Sequence, residues 1–403
     1  VLPACRLDCP LGQNVTFYVS AISSEDTQAA AHTIRETNAL PSVCGRFCLA
    51  SCMRACTRAA MDDGVDIRGL KRYAVQVVGE AEPIAVDAKA AKVAVVGSGP
   101  SGVAAAHRLL QLGMKPVIFE AADKPGGMLT DVIPDFVLPQ EMVENDIANL
   151  VKMGVEIRTG VQVGKDVPWS EIDSDFDAVL VATGAGKAVM PSVPGAKLKG
   201  STNAIDFCRT AGNGKGAKLA GNVVVRGGSD TSLQVARTAV RLGAKAVSVV
   251  HASPVELWPV TSEAIQAAEK EGVSLLAGHR VTELKGSGKL EAVVVRPVRG
   301  TQQDPVGRVA GGAMGKEKEL EATLFVEAVN RRPGKENQPD LDAIAVGMLG
   351  SLQVDSAYKL AKPGWYAAGE AATGAATVVD SMATGRLAAE AINNDLSQKR
   401  EAK

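Results

Sequence analysis

The sequence predicts an α/β fold in which two parallel-sheet βαβ domains follow an α-helical, cysteine-rich segment. Three observations carry the prediction. A buried strand, a glycine loop, a helix and a second strand follow one another from Lys92 to Glu120. The same order recurs from Asn222 to Val250. Six of the seven cysteines stand within the first 56 residues. At roughly 100–200 residues per domain, a chain of 403 residues is expected to hold two or three domains.

Composition narrows the function classes. Hydrophobic residues make up 46% of the chain and 41 residues are glycine, which suits an α/β protein with many tight turns. Aromatic residues are 3%, too few for the stacking platforms of single-strand nucleic-acid binders. The net charge is −1 with no long basic run, so neither nucleic acid nor an acidic membrane surface is implied. No apolar run reaches the roughly 18 residues of a membrane span. The start, Val1 to Cys5, lacks the basic region and apolar core of a signal peptide, so a cytoplasmic setting is expected. It also lacks Met, which points to residues upstream.

Residues 1–80 read as a helical domain. Within it, Ala21–Ala39 reads as one helix, with Ser23, Ser24, Glu25 and Asp26 as start signal and Pro41 beyond its end. Residues 81–91 are small and polar and read as a linker. Residues 92–205 and 326–397 are expected to form the first dinucleotide-binding domain, and 206–325 the second. Gly364–Glu370 reads as a late strand and turn, and Thr377–Ile392 as the last helix.

The first glycine loop is Gly97, Gly99 and Gly102 in the spacing G-x-G-x-x-G, with Pro100 and Ser101 between. It leaves a strand and opens a helix. Gly97 makes the turn, Gly99 lets backbone approach a pyrophosphate, and Gly102 lets helix and strand pack closely. Glu120 ends the next strand, where a carboxylate can accept from ribose hydroxyls. Three later segments add to this. Gly126, Gly127, Met128 and Leu129 follow Glu120, the segment Ala178–Gly184 reads as a buried strand ending in a small-residue turn at Thr183 and Gly184, and Gly369 and Glu370 leave the late strand. Thr377 opens the last helix. In this order the segments resemble a flavoprotein disulfide-reductase-like fold, with two Rossmann-like domains. The resemblance implies FAD extended across the first domain, and it brings Gly369 and Glu370 to the ribityl–pyrophosphate region.

The second loop departs from G-x-G-x-x-A. It reads Gly227, Gly228, Ser229, Asp230, Thr231, with Ser229 in place of the middle glycine. A Cβ there crowds a close pyrophosphate, although a hydroxyl could donate to it. After the following strand comes His251, where an NADPH site offers an arginine for the 2′-phosphate. NAD(H) is therefore expected ahead of NADP(H), and a domain kept only for packing is the alternative.

The cysteines are Cys5 and Cys9, then Cys44, Cys48, Cys52 and Cys56 at uniform spacing. Closely spaced thiolates suit an iron–sulfur cluster with four cysteine ligands. Zinc, or four cysteines on one helix face with no metal, are the alternatives. Cys208 stands alone and reads as an ordinary small residue.

Cys5–Val15, Leu40–Cys48 and Ile67–Arg72 resemble the glutamate synthase small subunit and the N-terminal half of dihydropyrimidine dehydrogenase. The resemblance covers nearly the whole chain. It implies a helical Fe–S domain, FAD and an NAD(P)H site. Fuller members carry a further Cys-x-x-Cys upstream, and place Gln or Glu as a ligand where Lys71 stands here. One [4Fe-4S] cluster is thus expected, with Cys9, Cys48, Cys52 and Cys56 as ligands and Cys5 or Cys44 as substitutes. A family glycine is Asn330 here. No nucleophile constellation, histidine metal spacing or flavin-side dithiol is evident. The expected function is an FAD subunit exchanging electrons between NAD(H) and Fe–S centres of a partner subunit, glutamate synthase-like or of a molybdenum or tungsten dehydrogenase. A structural or relay subunit without nicotinamide turnover is the rival.

Overall fold

Alanine, valine and isoleucine at helical spacing build the N-terminal segment from short helices. The computed structural model describes residues 2–191, 193–211, 216–298, 302–303, 309–310, 315–329, 331–334, 346–347 and 350–401. Its first helices are α1 (Ala4–Leu7), α2 (Val15–Ser23), α3 (Thr27–Thr37), α4 (Pro41–Arg46), α5 (Ser51–Arg54) and α6 (Ile67–Val78). The single helix expected over Ala21–Ala39 is in fact two. Glu25 takes a φ of 63°, a left-handed turn that stops α2. Asp26 then accepts from Ala29 N at 3.0 Å and caps α3. Tyr18, Ile34, Cys52, Ile67 and Val75 form the core of this segment. Residues 79–91 carry no helix or strand.

The apolar run at Lys92 starts a parallel sheet. Its parts are β1 (Lys92–Val96), α7 (Pro100–Gln111), β2 (Lys115–Phe119), α8 (Met128–Asp131), α9 (Gln140–Met153), β3 (Glu156–Arg158), α10 (Trp169–Asp175) and β4 (Ala178–Val181). The chain continues through β5 (Ser201–Asn203), α11 (Ala204–Ala211), β6 (Asn222–Arg226), α12 (Asp230–Arg241), β7 (Ala246–His251), α13 (Ser262–Lys270), β8 (Val273–Ala277), β9 (His279–Lys285), β10 (Ala292–Pro297), β11 (Lys318–Glu321) and β12 (Leu324–Glu327). It ends with β13 (Trp365–Ala367), α14 (Glu370–Thr373) and α15 (Val378–Glu401). The last helix runs past the expected Ile392, because its polar tail carries no stop signal. Asn330 lies outside the described residues.

The chain divides into two compact units: Val1–Asp131, Leu138–Gly186 and Arg332–Lys403 form one, and Val132–Val137 with Lys187–Arg331 form the other. In the first unit, five parallel strands run in the order β13-β4-β1-β2-β3. Val96, Phe119, Val181 and Trp365 are buried on one core, each such side chain contributing about 1.5–3 kcal/mol. In the second unit, five parallel strands run β5-β12-β6-β7-β8, beside a three-stranded antiparallel sheet β9-β10-β11.

An ion-pair cluster ties α12 to the turn after α13. Glu271 accepts from Arg237 at 2.7 Å and from Arg241 at 2.5 Å, and the Arg241 guanidinium lies 3.7 Å from the Phe136 ring centroid. The Arg241 hydrogen bond leads in holding the Glu271 carboxyl down to about 2, below its ordinary 4.5. A depressed carboxyl stabilises the fold above its unfolded pKa and loses that as pH falls. We therefore expect the second unit to lose about 1–2 kcal/mol between roughly pH 4.5 and 2, after allowance for solvent at the pair. Thermal melts of Glu271→Gln should lack that acid limb. A wild-type limb retained in the variant would contradict it.

Candidate functional site

The first loop is built by close packing. A Cβ on Gly102 would stand 1.9 Å from Gly97 O, and one on Gly97, at φ +110°, would stand 2.4 Å from Ala182 O. A Cβ on Gly99 would meet no protein atom within 4 Å. α7 therefore starts against its own strand and leaves an open face at Gly99. Its N-terminus offers backbone N–H groups and the positive end of the helix dipole.

Glu120 and the three later segments converge on this loop. Glu120 accepts from Ser98 N at 3.0 Å, Ser98 Oγ at 2.5 Å and Ala122 N at 2.8 Å. Ser98 Oγ in turn accepts from Gly126 N at 3.0 Å. A Cβ on Gly127 would lie 3.0 Å from Gly99 Cα, and one on Gly369 would lie 2.4 Å from Ser101 Oγ. Thr183 lies beside Gly97, and its buried Oγ1 has no hydrogen-bond partner. Leu129 is buried at α8, beside Met128. Glu370 is buried and accepts from Ala376 N at 3.1 Å, while Thr377 Oγ1 donates to Asp380 at 2.5 Å. Two residues here escape sequence reasoning. Ser98 sits at a variable position of the glycine pattern, and Gly385, inside α15, would with a Cβ stand 2.1 Å from Ser101 O.

The six N-terminal cysteines are all free thiols. They do not share one helix face, because α4 ends at Arg46 and Cys48 and Cys56 lie between helices. Cys48 Sγ accepts from Ala50 N at 3.4 Å, and Arg68 Nη1 donates to Cys48 O at 3.0 Å. Burial pushes the Cys44 thiol up to about 12 and the Cys52 thiol up to about 11. Burial and the neighbouring Cys56 and Cys9 also raise Cys5. Backbone N–H groups, Val65 first, lower Cys56. Lys71 is buried and electrostatically favours the thiolates of Cys44 and Cys52. Among the described residues no three ligating side chains already meet at one ion. A four-iron cluster takes one thiolate per iron, so its ligands stand apart.

In the second unit, Ser229 begins α12 in extended backbone. Its N–H donates to Ser232 Oγ at 3.0 Å, and Ser232 Oγ donates to Ser229 O at 2.6 Å. One N–H that a pyrophosphate would want is thus engaged. Asp230 follows, its carboxyl pushed up to about 6 by burial, beside Thr231. A Cβ on Gly228 would lie 2.9 Å from the His251 ring, so the imidazole lies against the loop. His251 Nδ1 accepts from Ser253 N at 3.1 Å, which leaves the proton on Nε2. Burial first, then Arg226, lowers its pKa. Arg226 donates to Glu327 at 3.2 Å, the residue opposite it on β12.

Residues 91–385 match the family described as pyridine nucleotide-disulphide oxidoreductase. The chain belongs to this family. Residues 2–82 match a second family, dihydropyrimidine dehydrogenase domain II, 4Fe-4S cluster. The chain is 30% identical to the NADP(+)-dependent formate dehydrogenase subunit beta of Moorella thermoacetica, over 99% of this chain and 60% of that protein. It is 29% identical to the glutamate synthase [NADPH] small chain of Halomonas elongata, over 97% of this chain and 87% of that one. It is 29% identical to the NAD-dependent dihydropyrimidine dehydrogenase subunit PreT of Escherichia coli, over 97% and 90%. Among solved structures, Mycobacterium tuberculosis FprA in complex with NADPH superposes with a TM-score of 0.67 at 19% identity, over 78% of this chain and 86% of that one. The chain spans 60% of the length of the formate dehydrogenase subunit, less than two thirds.

The sequence resemblance and the fold class expected from it are borne out, and the chain is an oxidoreductase of the flavin and iron–sulfur type. No helix among the described residues is long and apolar enough to cross a membrane. The residues present fit these groups. Thr183, which lies beside Gly97 in the same loop, carries an orphaned buried hydroxyl that a bound dinucleotide could satisfy. Buried thiols, a buried lysine and an orphaned phenol at Tyr18 suit an anionic sulfur-rich cluster better than solvent.

Proposed function

We propose that this chain is the FAD-containing subunit of a larger redox complex, exchanging electrons between NAD(H) and Fe–S centres of a partner subunit. The observation that carries the reading is the first loop, where Gly99 leaves an open face at a helix N-terminus and Gly97 is flanked by Thr183, whose buried hydroxyl is unpartnered. A bound flavin converts two-electron nicotinamide chemistry into single-electron transfer. The chain's residues bind and orient. Gly97, Gly99, Pro100, Ser101 and Gly102 hold the diphosphate, Glu120 accepts from ribose, and Gly126 to Leu129 line the flavin's path. Thr183, Gly184, Gly369, Glu370 and Thr377 complete the site. Residues 1–80 form the cluster domain, the remainder of the first unit the FAD domain, and the second unit, Val132–Val137 with Lys187–Arg331, the nicotinamide domain.

Gly227 to Thr231 receive the nicotinamide dinucleotide. NADH is favoured over NADPH because a neutral His251 stands where a 2′-phosphate needs a guanidinium, and Arg226 is engaged by Glu327. One cluster is held by Cys9, Cys48, Cys52 and Cys56, with Cys5 or Cys44 able to substitute. Unbridged thiols suit the reducing cytoplasm. The partner is a catalytic or Fe–S subunit, such as that of a glutamate synthase-like or molybdenum or tungsten dehydrogenase complex.

Anaerobic NADH should bleach the flavin absorbance at least tenfold faster than NADPH. No bleaching with either would favour a relay subunit without nicotinamide turnover, the reading that the engaged Ser229 N–H supports. Glu120→Ala should lose a hydrogen bond to a charged group, worth about 1.5–3 kcal/mol, and retain less FAD after gel filtration. Unchanged flavin content would contradict the role of Glu120.

A further inference from the structure

Tyr18 is fully buried on α2 and packs with Cys52 and Cys5 in the core of the N-terminal segment. Its hydroxyl is buried and has no hydrogen-bond partner. A buried hydroxyl without a partner is costly, so one that persists in a core calls for an acceptor. The cysteines packed in the same core, Cys52 and Cys5, bring sulfur to its surroundings. A phenol keeps its proton at neutral pH, so the group is available as a donor.

We propose that the Tyr18 hydroxyl donates a hydrogen bond to a sulfur, thiolate or inorganic, of the cluster held by the N-terminal cysteines, and thereby raises its reduction potential. This rests on the reading that those cysteines hold an iron–sulfur cluster. Reduction adds one electron and no proton, so the reduced cluster is the more negative state. A donor aimed at its sulfur stabilises that state more than the oxidised one. Tyr18 is thus a positioning and tuning residue, not a ligand. Phenylalanine would fill the same space, so packing alone gives no reason for the hydroxyl.

The test uses the full chain purified without oxygen. Iron and sulfide are assayed, then the cluster signal is titrated against potential by electron paramagnetic resonance. Tyr18→Phe should keep the wild-type iron content and titrate at a more negative potential. A second sample replaces all four tyrosines with 3-fluorotyrosine, a stronger donor of the same shape. Its potential should move the opposite way. Equal potentials in all three iron-loaded samples would overturn the role of Tyr18 and leave the cluster reading intact. A wild-type chain without iron or sulfide would overturn both.

Discussion

Gly102→Ala should fold poorly around its first loop and lose flavin. The added Cβ would stand 1.9 Å from Gly97 O and 3.3 Å from a Val95 methyl, and backbone cannot swing aside as a side-chain tip can. Overpacking of this kind costs about 1–3 kcal/mol. At about 1.4 kcal/mol per tenfold, flavin affinity should fall roughly ten- to hundredfold. Gly99→Ala is the informative contrast. Its Cβ meets no protein atom within 4 Å, so the apoprotein should melt as wild type does. The open face at Gly99 is where the diphosphate passes in our reading, so flavin should be lost all the same. Gly99→Ala with full flavin would move the dinucleotide away from this loop.

The glycine loops and their strands were legible because both signals are local. β1 is a continuous apolar run, and its helix begins within four residues of it. The strands β6 and β7 read equally well for the same reason. The helical segment was harder. α2 has no start signal, since Asn14 makes no side-chain cap bond, so its apolar residues merged with the helix that Asp26 does announce. The residues that join the site were the least legible. Ser98 links Glu120 to Gly126, Gly385 lets α15 lie against Ser101, and Tyr18 shares a core with Cys5 and Cys52 from other helices. Each depends on a partner far away in sequence, which no periodicity records. The cysteines were visible by type, but only the structure separates them from a one-faced helix.

Asp146 is another such residue, and its removal should have the largest effect on the N-terminal segment. It stands on α9, fully buried, and its two carboxylate oxygens accept from Ser42 N at 3.2 Å and Val43 N at 3.0 Å. Those are N–H groups of the first turn of α4, the helix that carries Cys44 and leads into Cys48. Leu40 makes no side-chain cap there, so an acid from more than a hundred residues away does the work of one. Asp146→Ala leaves the buried Val43 N–H and its neighbour unpaired, at about 1–3 kcal/mol for each group left so. It also removes a carboxyl, pushed up to about 7 by burial, whose charged form favours the half-buried Arg35 guanidinium. We expect a melting temperature lower by about 5 °C or more, given roughly 2–4 °C per kcal/mol for domains of about 150–250 residues. Asp146→Asn keeps one acceptor and should recover part of the loss. If α4 orients the cluster thiols, iron content should fall in the same order: wild type, then Asn, then Ala. Equal melting temperatures for wild type and Ala would show that α4 is held by its apolar face alone, through Pro41, Val43 and Cys44.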